Sequence, residues 1–132
     1  ISEAQMNVTS CLASGEQLPW PDSVFDCAVS TFTLCSIPDV QRSMSEVYRL
    51  LKPGGVFVFL DHGLSENPRH QQWQHRLNPL QKIIGAGCHL NRDIAQIVSA
   101  EPFEIRTMKR FVLERVHGIM GSCYQGLLKK SE

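Results

Sequence analysis

The sequence has no excess of either charge: 13 Lys plus Arg stand against 13 Asp plus Glu in 132 residues. That balance argues against a nucleic-acid binder held by a broad positive field, and equally against an acidic solvating tail. Long hydrophobic runs are also lacking. The longest, Val56-Phe57-Val58-Phe59-Leu60, is far short of the ~20 residues that cross a bilayer, and no leader pattern precedes it. Membrane contact is therefore not expected from this chain. The five cysteines, Cys11, Cys27, Cys35, Cys88 and Cys123, contain no C-x-x-C pair. An odd number without regular spacing fits neither a zinc ribbon nor a disulfide framework, so no metal site is expected. Reduced thiols in a cytoplasmic protein are the plain expectation. Repeats and low-complexity tracts are missing too.

What is present is ordinary globular composition, 42% hydrophobic and 20% charged, with a length that fits one domain. The chain opens on Ile1 instead of methionine. We read this as a piece excised from a longer polypeptide.

Periodicity and punctuation divide the chain into elements. Asn7 to Ala13 has the β-branched, short-run character of a strand. Two prolines in Leu18-Pro19-Trp20-Pro21-Asp22-Ser23 make a loop. Phe25 to Thr31 reads as a second strand, apolar enough to be covered on both faces. Ser36 or Asp39 then caps a helix whose Val40, Met44, Val47, Leu50 and Leu51 form one stripe. Pro53-Gly54-Gly55 ends that helix and turns the chain into the strand Val56–Leu60. Strand, helix, strand at this spacing is a crossover unit, which implies parallel pairing.

Downstream, Pro68–Ile84 is helical in pattern, with Trp73, Leu77, Leu80, Ile83 and Ile84 on one side as core or pocket wall. Asn78-Pro79 predicts a kink or a break there. Asn91 is positioned to cap a short helix carrying Ile94, Ile97 and Val98. The strands Phe103–Leu113 and Ile119–Leu128 are joined by too short a link for a crossover, so they should pair antiparallel.

Two segments carry a family resemblance. Glu16-Gln17-Leu18-Pro19-Trp20-Pro21-Asp22-Ser23-Val24-Phe25-Asp26 resembles the AE-x-LPF-x-D-x-SFD segment of class I S-adenosylmethionine-dependent methyltransferases of the type 11 family. Glu46-Val47-Tyr48-Arg49-Leu50-Leu51-Lys52-Pro53-Gly54-Gly55 is similar to their E-x-x-RVLKPGG segment, in the same order and at the usual distance. Asp61-His62-Gly63, Trp73-Gln74 and Gly87-Cys88-His89-Leu90-Asn91-Arg92 narrow the likeness to bacterial relatives of methyltransferase-like protein 7. The resemblance runs from about Cys11 to Lys129. It implies an α/β fold: the C-terminal part of a Rossmann-like methyltransferase, mostly parallel sheet with a terminal antiparallel strand pair. It also implies S-adenosyl-L-methionine as cofactor and a small-molecule acceptor, with small alkyl thiols a possibility because the animal members are linked to them. The family's E/D-x-G-x-G loop does not occur here, nor does the acidic residue that usually takes the ribose hydroxyls. On the order of 60 residues, two strand–helix units, would be needed to supply them.

Ligands of open α/β sheets bind beyond the carboxyl ends of the strands. By the resemblance, Ser14, Gly15 and Glu16 lie beside adenine, and Thr31 and Phe32 line the methionine end. A plain turn and simple core packing are the alternatives for these two places. Asp61 and His62 are the candidate catalytic pair, His62 as base for the acceptor and Asp61 as its orienting group or facing the cofactor amine. The alternative is a loop cap and a satisfied polar side chain. Leu34, Trp73, Cys88 and His89 are the candidate substrate residues, with the Cys88-His89 turn as a lid over the acceptor. His70 and His75 are expected in solvent. Two functional classes follow: a small-molecule methyltransferase, or a non-catalytic remnant that folds or dimerises through an exposed sheet edge.

Overall fold

The computed structural model describes residues 6–132; Ile1 lies outside them. Among these residues four strands and four helices follow in the order β1 (Phe25–Thr31), α1 (Val40–Leu50), β2 (Leu51–His62), α2 (Pro68–Ile84), α3 (Ile94–Ser99), β3 (Phe103–Val112), α4 (Gly118–Gly121) and β4 (Ser122–Lys130). They form one sheet in the order β1-β2-β4-β3. β1 and β2 pair in parallel, as the crossover predicts.

β4 inserts between β2 and β3 and runs antiparallel to both. The α/β class and the terminal antiparallel pair are therefore observed. The expected mostly parallel sheet is corrected to a mixed one with a single parallel pairing. The cause is the short link between β3 and β4, which permits only a reversal of direction.

α1 starts where Asp39 accepts a hydrogen bond from the Arg42 N–H at 3.0 Å, so Asp39 and not Ser36 is the cap. Its stripe meets the alternating residues Leu51, Phe57 and Phe59 of β2, all at most 1% exposed, with Leu128 of β4 and Ile94 and Val98 of α3. Burial of such side chains contributes about 1.5–3 kcal/mol each. α3 is capped by Asp93, two residues beyond the expected Asn91, because the Asp93 carboxylate reaches the Gln96 N–H.

Three further boundaries differ from expectation. Pro53-Gly54-Gly55 lies inside β2, looped out between the pairs Phe25–Leu51 and Cys27–Val56, with Gly54 at φ 75°. α2 runs through Asn78-Pro79 as one helix; the Asn78 side-chain oxygen accepts from the Leu90 N–H instead. Asn7–Ala13 is irregular and exposed, with Leu12 fully in solvent, because no described strand offers it a backbone to pair with.

The two motif segments are locked together. Glu46 accepts the Leu18 N–H at 2.8 Å and both Nε and Nη2 of Arg49. Arg49 reaches on to Asp22 and to the Leu18 and Trp20 carbonyl oxygens. Arg49 and the Leu18 amide hold the Glu46 carboxyl at about 2, well below its ordinary 4.5. A carboxyl depressed in the fold stabilises it above pH 4.5 and loses that stabilisation as pH falls towards 2. Because solvent reaches 30% and 18% of the two side chains, the effect is about 1 kcal/mol. Acid titrations of stability should show this loss in the wild-type protein and not in Glu46→Gln; parallel curves for the two would contradict it.

Candidate active site

The carboxyl end of β2 meets the loop that follows β1. Asp61 is fully buried, and its carboxylate collects three backbone donors from that loop. The Thr33 and Leu34 amides reach Oδ2 at 2.9 and 2.7 Å, and the Cys35 amide reaches Oδ1 at 3.0 Å. A carboxylate in a nest of three N–H groups is a strong, directional anchor. Arg92 closes the loop from the other side by donating to the Leu34 carbonyl at 2.5 Å and to that of Pro38 at 3.3 Å. Held this way, the chain turns sharply at Phe32, which adopts a left-handed φ of 48°. A bulky residue in that region costs about 1–3 kcal/mol and persists where the surroundings dictate it.

Phe32 and His62 face one another with ring centroids 4.7 Å apart. His62 Nδ1 lies 3.6 Å from the Cys123 sulfur, its register partner on β4. Burial, reinforced by the Asp61 charge, pushes the Cys123 thiol up, so it stays protonated and serves His62 as a neutral neighbour. The structure thus sets Phe32 against His62, with Thr31 immediately before the turn; the expected orienting of His62 by Asp61 is corrected, because the Asp61 carboxylate is taken by the three loop amides while the His62 ring meets Phe32 and Cys123.

Two clefts lie in neighbouring parts of the fold, one lined by Thr33 and Leu34 and the other by Cys123. The first, about 330 Å³, lies along the open edge of β1 beneath α1; Gly15, Trp20, Ser30, Thr33, Ile37 and Ser43 contribute to its wall. The hydroxyls of Ser30 and Ser43 are buried there without a partner. The second, about 270 Å³, lies at the same end of the sheet between the start of α2 and the β3–β4 pair. Its wall includes Leu64, His70, Arg110, Phe111, Cys123 and Tyr124. Arg110 is fixed there over the Tyr124 ring, 4.9 Å away, and bridges to Glu66.

The other candidate residues fall into separate places. Ser14 is exposed, and its hydroxyl accepts the Glu16 N–H in a tight turn. Gly15 packs against Ile37 and Ser43 so closely that a methyl group would stand 3.2 Å from Ile37. Glu16 directs its carboxylate to the Asp39 N–H at 2.7 Å, at the start of α1. Leu34 is 2% exposed and belongs to the core. Cys88 and His89 pack against the loop after β1: His89 N–H and Nδ1 lie 2.7 and 3.1 Å from the Cys35 carbonyl oxygen. Burial keeps His89 below its usual value, so it is a neutral ring donating from Nδ1.

Trp73 does not join them. It is 51% exposed beneath Arg76, and Leu80, Ile83 and Ile84 are exposed as well. The expected pocket-wall stripe of α2 is corrected on this point: the one buried residue of the helix is Gln74. The helix packs mainly on α4 through its polar side. His70, expected in solvent, is half-buried in the second cleft with its ring 5.1 Å from that of His117. Sequence reading missed Cys123, His70, Gln74 and Arg110. Cys123 meets His62 only through the pairing of β4 with β2, which no local signal in the sequence announces.

The chain is similar to known proteins in sequence and in fold. Residues 1–59 match the family described as Methyltransferase domain. Thiol S-methyltransferase TMT1B of Rattus norvegicus is 45% identical over 74 residues, 54% of this chain and 30% of that protein. Ubiquinone/menaquinone biosynthesis C-methyltransferase UbiE of a Marinomonas species is 31% identical over 126 residues, 92% of this chain and 49% of that protein. The chain thus spans between about a third and a half of these curated relatives. Among solved structures, a SAM-dependent methyltransferase of Methanosarcina mazei superposes with a TM-score of 0.68 at 22% identity, covering 90% of this chain and 65% of that one. The chain is thus similar, in part of its sequence and in its fold, to class I S-adenosylmethionine-dependent methyltransferases. No described helix is long and apolar enough to cross a membrane.

Proposed function

We propose that this protein transfers the methyl group of S-adenosylmethionine to a small-molecule acceptor, a thiol in the first place. The observation that carries this is the loop anchored by Asp61, which sets a left-handed Phe32 against His62 at the carboxyl end of the parallel pair and, through Thr33 and Leu34, walls the cleft along β1. The first cleft fits the cofactor: it is mostly apolar, and the Ser30 hydroxyl is buried in it without a partner. Ser14, Gly15 and the Glu16 backbone would hold the adenine side, and Thr31 and Phe32 the methionine side. The cofactor supplies a methyl group on a positively charged sulfur.

The protein's own task is then to seat an ionised acceptor in line with that methyl group. The second cleft reaches Cys123, whose thiol touches His62, so an acceptor seated there lies beside the imidazole. His62 takes the acceptor proton through Nε2, while Asp61 holds the wall. Leu34, Cys88 and His89 shape that wall from behind. A cytoplasmic setting, with all five thiols free, belongs to the same reading.

A methyl-transfer assay with labelled S-adenosylmethionine and a panel of thiol, quinol and amine acceptors tests it. Label on a thiol supports the reading; label on a quinol alone would move it towards the C-methyl chemistry named for UbiE. His62→Ala should lower thiol turnover about 10²-fold at neutral pH. That defect should fade above pH ~8.5, where a thiol ionises unaided. Unchanged turnover at neutral pH would dismiss the base.

A second reading, a non-catalytic module that dimerises, is favoured by one observation. β1 is an edge strand, with Val29 70% exposed beside its open backbone. Sedimentation would show a dimer, and absence of cofactor binding would accompany it.

A further inference from the structure

Leu90-Asn91-Arg92, between α2 and α3, belongs to a motif that narrowed the family resemblance, yet the methyl-transfer reading leaves Arg92 without a role. In the structure Arg92 touches both loops of the candidate site. Its guanidinium donates to the Leu34 and Pro38 carbonyl oxygens of the loop after β1, at 2.5 and 3.3 Å. Its own backbone carbonyl accepts the Leu64 N–H of the loop after β2 at 2.8 Å. Gly63 permits that close approach, since a methyl group there would stand 2.9 Å from the Arg92 carbonyl oxygen. The segment is rooted on two helices. Asn78 of α2 accepts the Leu90 N–H at 2.9 Å, and Asp93, the next residue, caps α3.

We propose that Arg92 is a positioning residue: a strut that fixes the spacing between the wall of the candidate cofactor cleft and the loop that lines the candidate acceptor cleft. Thr33 and Leu34 line the first cleft and Leu64 the second, so one residue holds both walls. The loop after β1 is gripped from two sides, its amides by Asp61 and its carbonyls by Arg92. Among the described residues no carboxylate lies within ion-pair distance of Arg92. Its recorded partners are backbone carbonyls on one loop, and a planar guanidinium fork spans two of them where the point charge of a lysine does not.

The catalytic consequence rests on the methyl-transfer reading; the coupling of the two loops does not. Methyl transfer needs donor and acceptor atoms aligned at about 3–3.5 Å, and a misplacement of about 1 Å costs on the order of 10²-fold in rate. Without the strut each cleft keeps its own lining and binds its own ligand. What is lost is the spacing between them, which acts on the chemical step and not on binding.

Two measurements on the whole chain test it, with Arg92→Lys and Arg92→Ala beside wild type. The first is amide hydrogen exchange, with Val58, paired on both sides in β2, as the reference for global opening. The hydrogen bonds of the Arg92 side chain end on the other loop. Even so, the Leu64 N–H should exchange about tenfold faster or more than in wild type, relative to Val58, together with Thr33 and Cys35. Leu64 exchange at the wild-type rate would overturn the proposal, whatever happens at residues 33–35. The second is the methyl-transfer assay. There kcat should fall about 10²-fold in Arg92→Ala, with KM for cofactor and acceptor within about threefold of wild type. Millimolar guanidinium should restore part of that loss and ammonium should not, and Arg92→Lys should stay slow. A raised KM at unchanged kcat would overturn the positioning role. An inactive wild-type protein would count against the methyl-transfer reading instead, and exchange at Leu64 would then decide the coupling by itself.

Discussion

Asp61→Ala is expected to cost about 4 kcal/mol of folding stability, since it strands three buried amides at once. The Thr33, Leu34 and Cys35 N–H groups all end on this carboxylate, and a cavity lined by core atoms admits no ready replacement. For a domain whose total stability is of order 5–15 kcal/mol, that loss is severe. Asp61→Asn separates charge from shape. Its oxygen still accepts, but its NH₂ group meets one or more N–H donors, and about 2 kcal/mol should be lost. Urea unfolding of both variants measures this, and the asparagine protein provides the result if the alanine protein does not fold. Midpoints equal to wild type would show that the loop is held by something else. The same variants should release Phe32 from its left-handed turn, so cofactor binding should fall together with stability.

Gln74→Leu has the second-largest expected effect, about 3 kcal/mol. The Gln74 side chain accepts the Ser65 N–H at 2.9 Å and donates to the Gly63 and Ile119 carbonyl oxygens, each at 3.1 Å. Leucine keeps the volume and leaves three backbone groups unpaired in a site that is 1% exposed. Since Gln74 is the only buried residue of α2, the loss should be local. Amide exchange across Pro68–Ile84 should accelerate well before global unfolding. Gln74→Glu sharpens the point. A carboxylate could still accept from Ser65 but would face two carbonyl oxygens, so its defect should shrink at acid pH, where the protonated group donates again. Wild-type exchange in both variants would contradict the role.

The strand–helix–strand unit from Phe25 to His62 was legible because its signals are local. The stripe of α1 and the apolar run of β2 each follow from residues a few positions apart, while the choice of Asp39 over Ser36 as cap came from the fold. What was not legible depended on partners. Asn7–Ala13 has strand character, but a strand needs a neighbouring backbone, and none of the described strands lies beside it. The α2 stripe had helical spacing, yet spacing does not say which face meets the protein. Here the polar face does, through Gln74. Asp61 was singled out for chemistry, while its three-amide nest depends on a loop 26–28 residues earlier in the chain. The roles of Glu46 and Arg49 were equally hidden. Their motif flagged kinship, and only the fold shows it to be a latch between α1 and the Leu18–Asp22 loop.

The central claim is that the loop anchored by Asp61 forms one wall of an S-adenosylmethionine site. Calorimetric titration of S-adenosylmethionine into the folded protein tests it most directly, with Asp61→Asn titrated alongside. The account predicts saturable binding at one site per chain, displaced by S-adenosylhomocysteine and weakened about tenfold or more in Asp61→Asn. Absence of binding by the folded wild-type protein, or equal affinity in the variant, would contradict it.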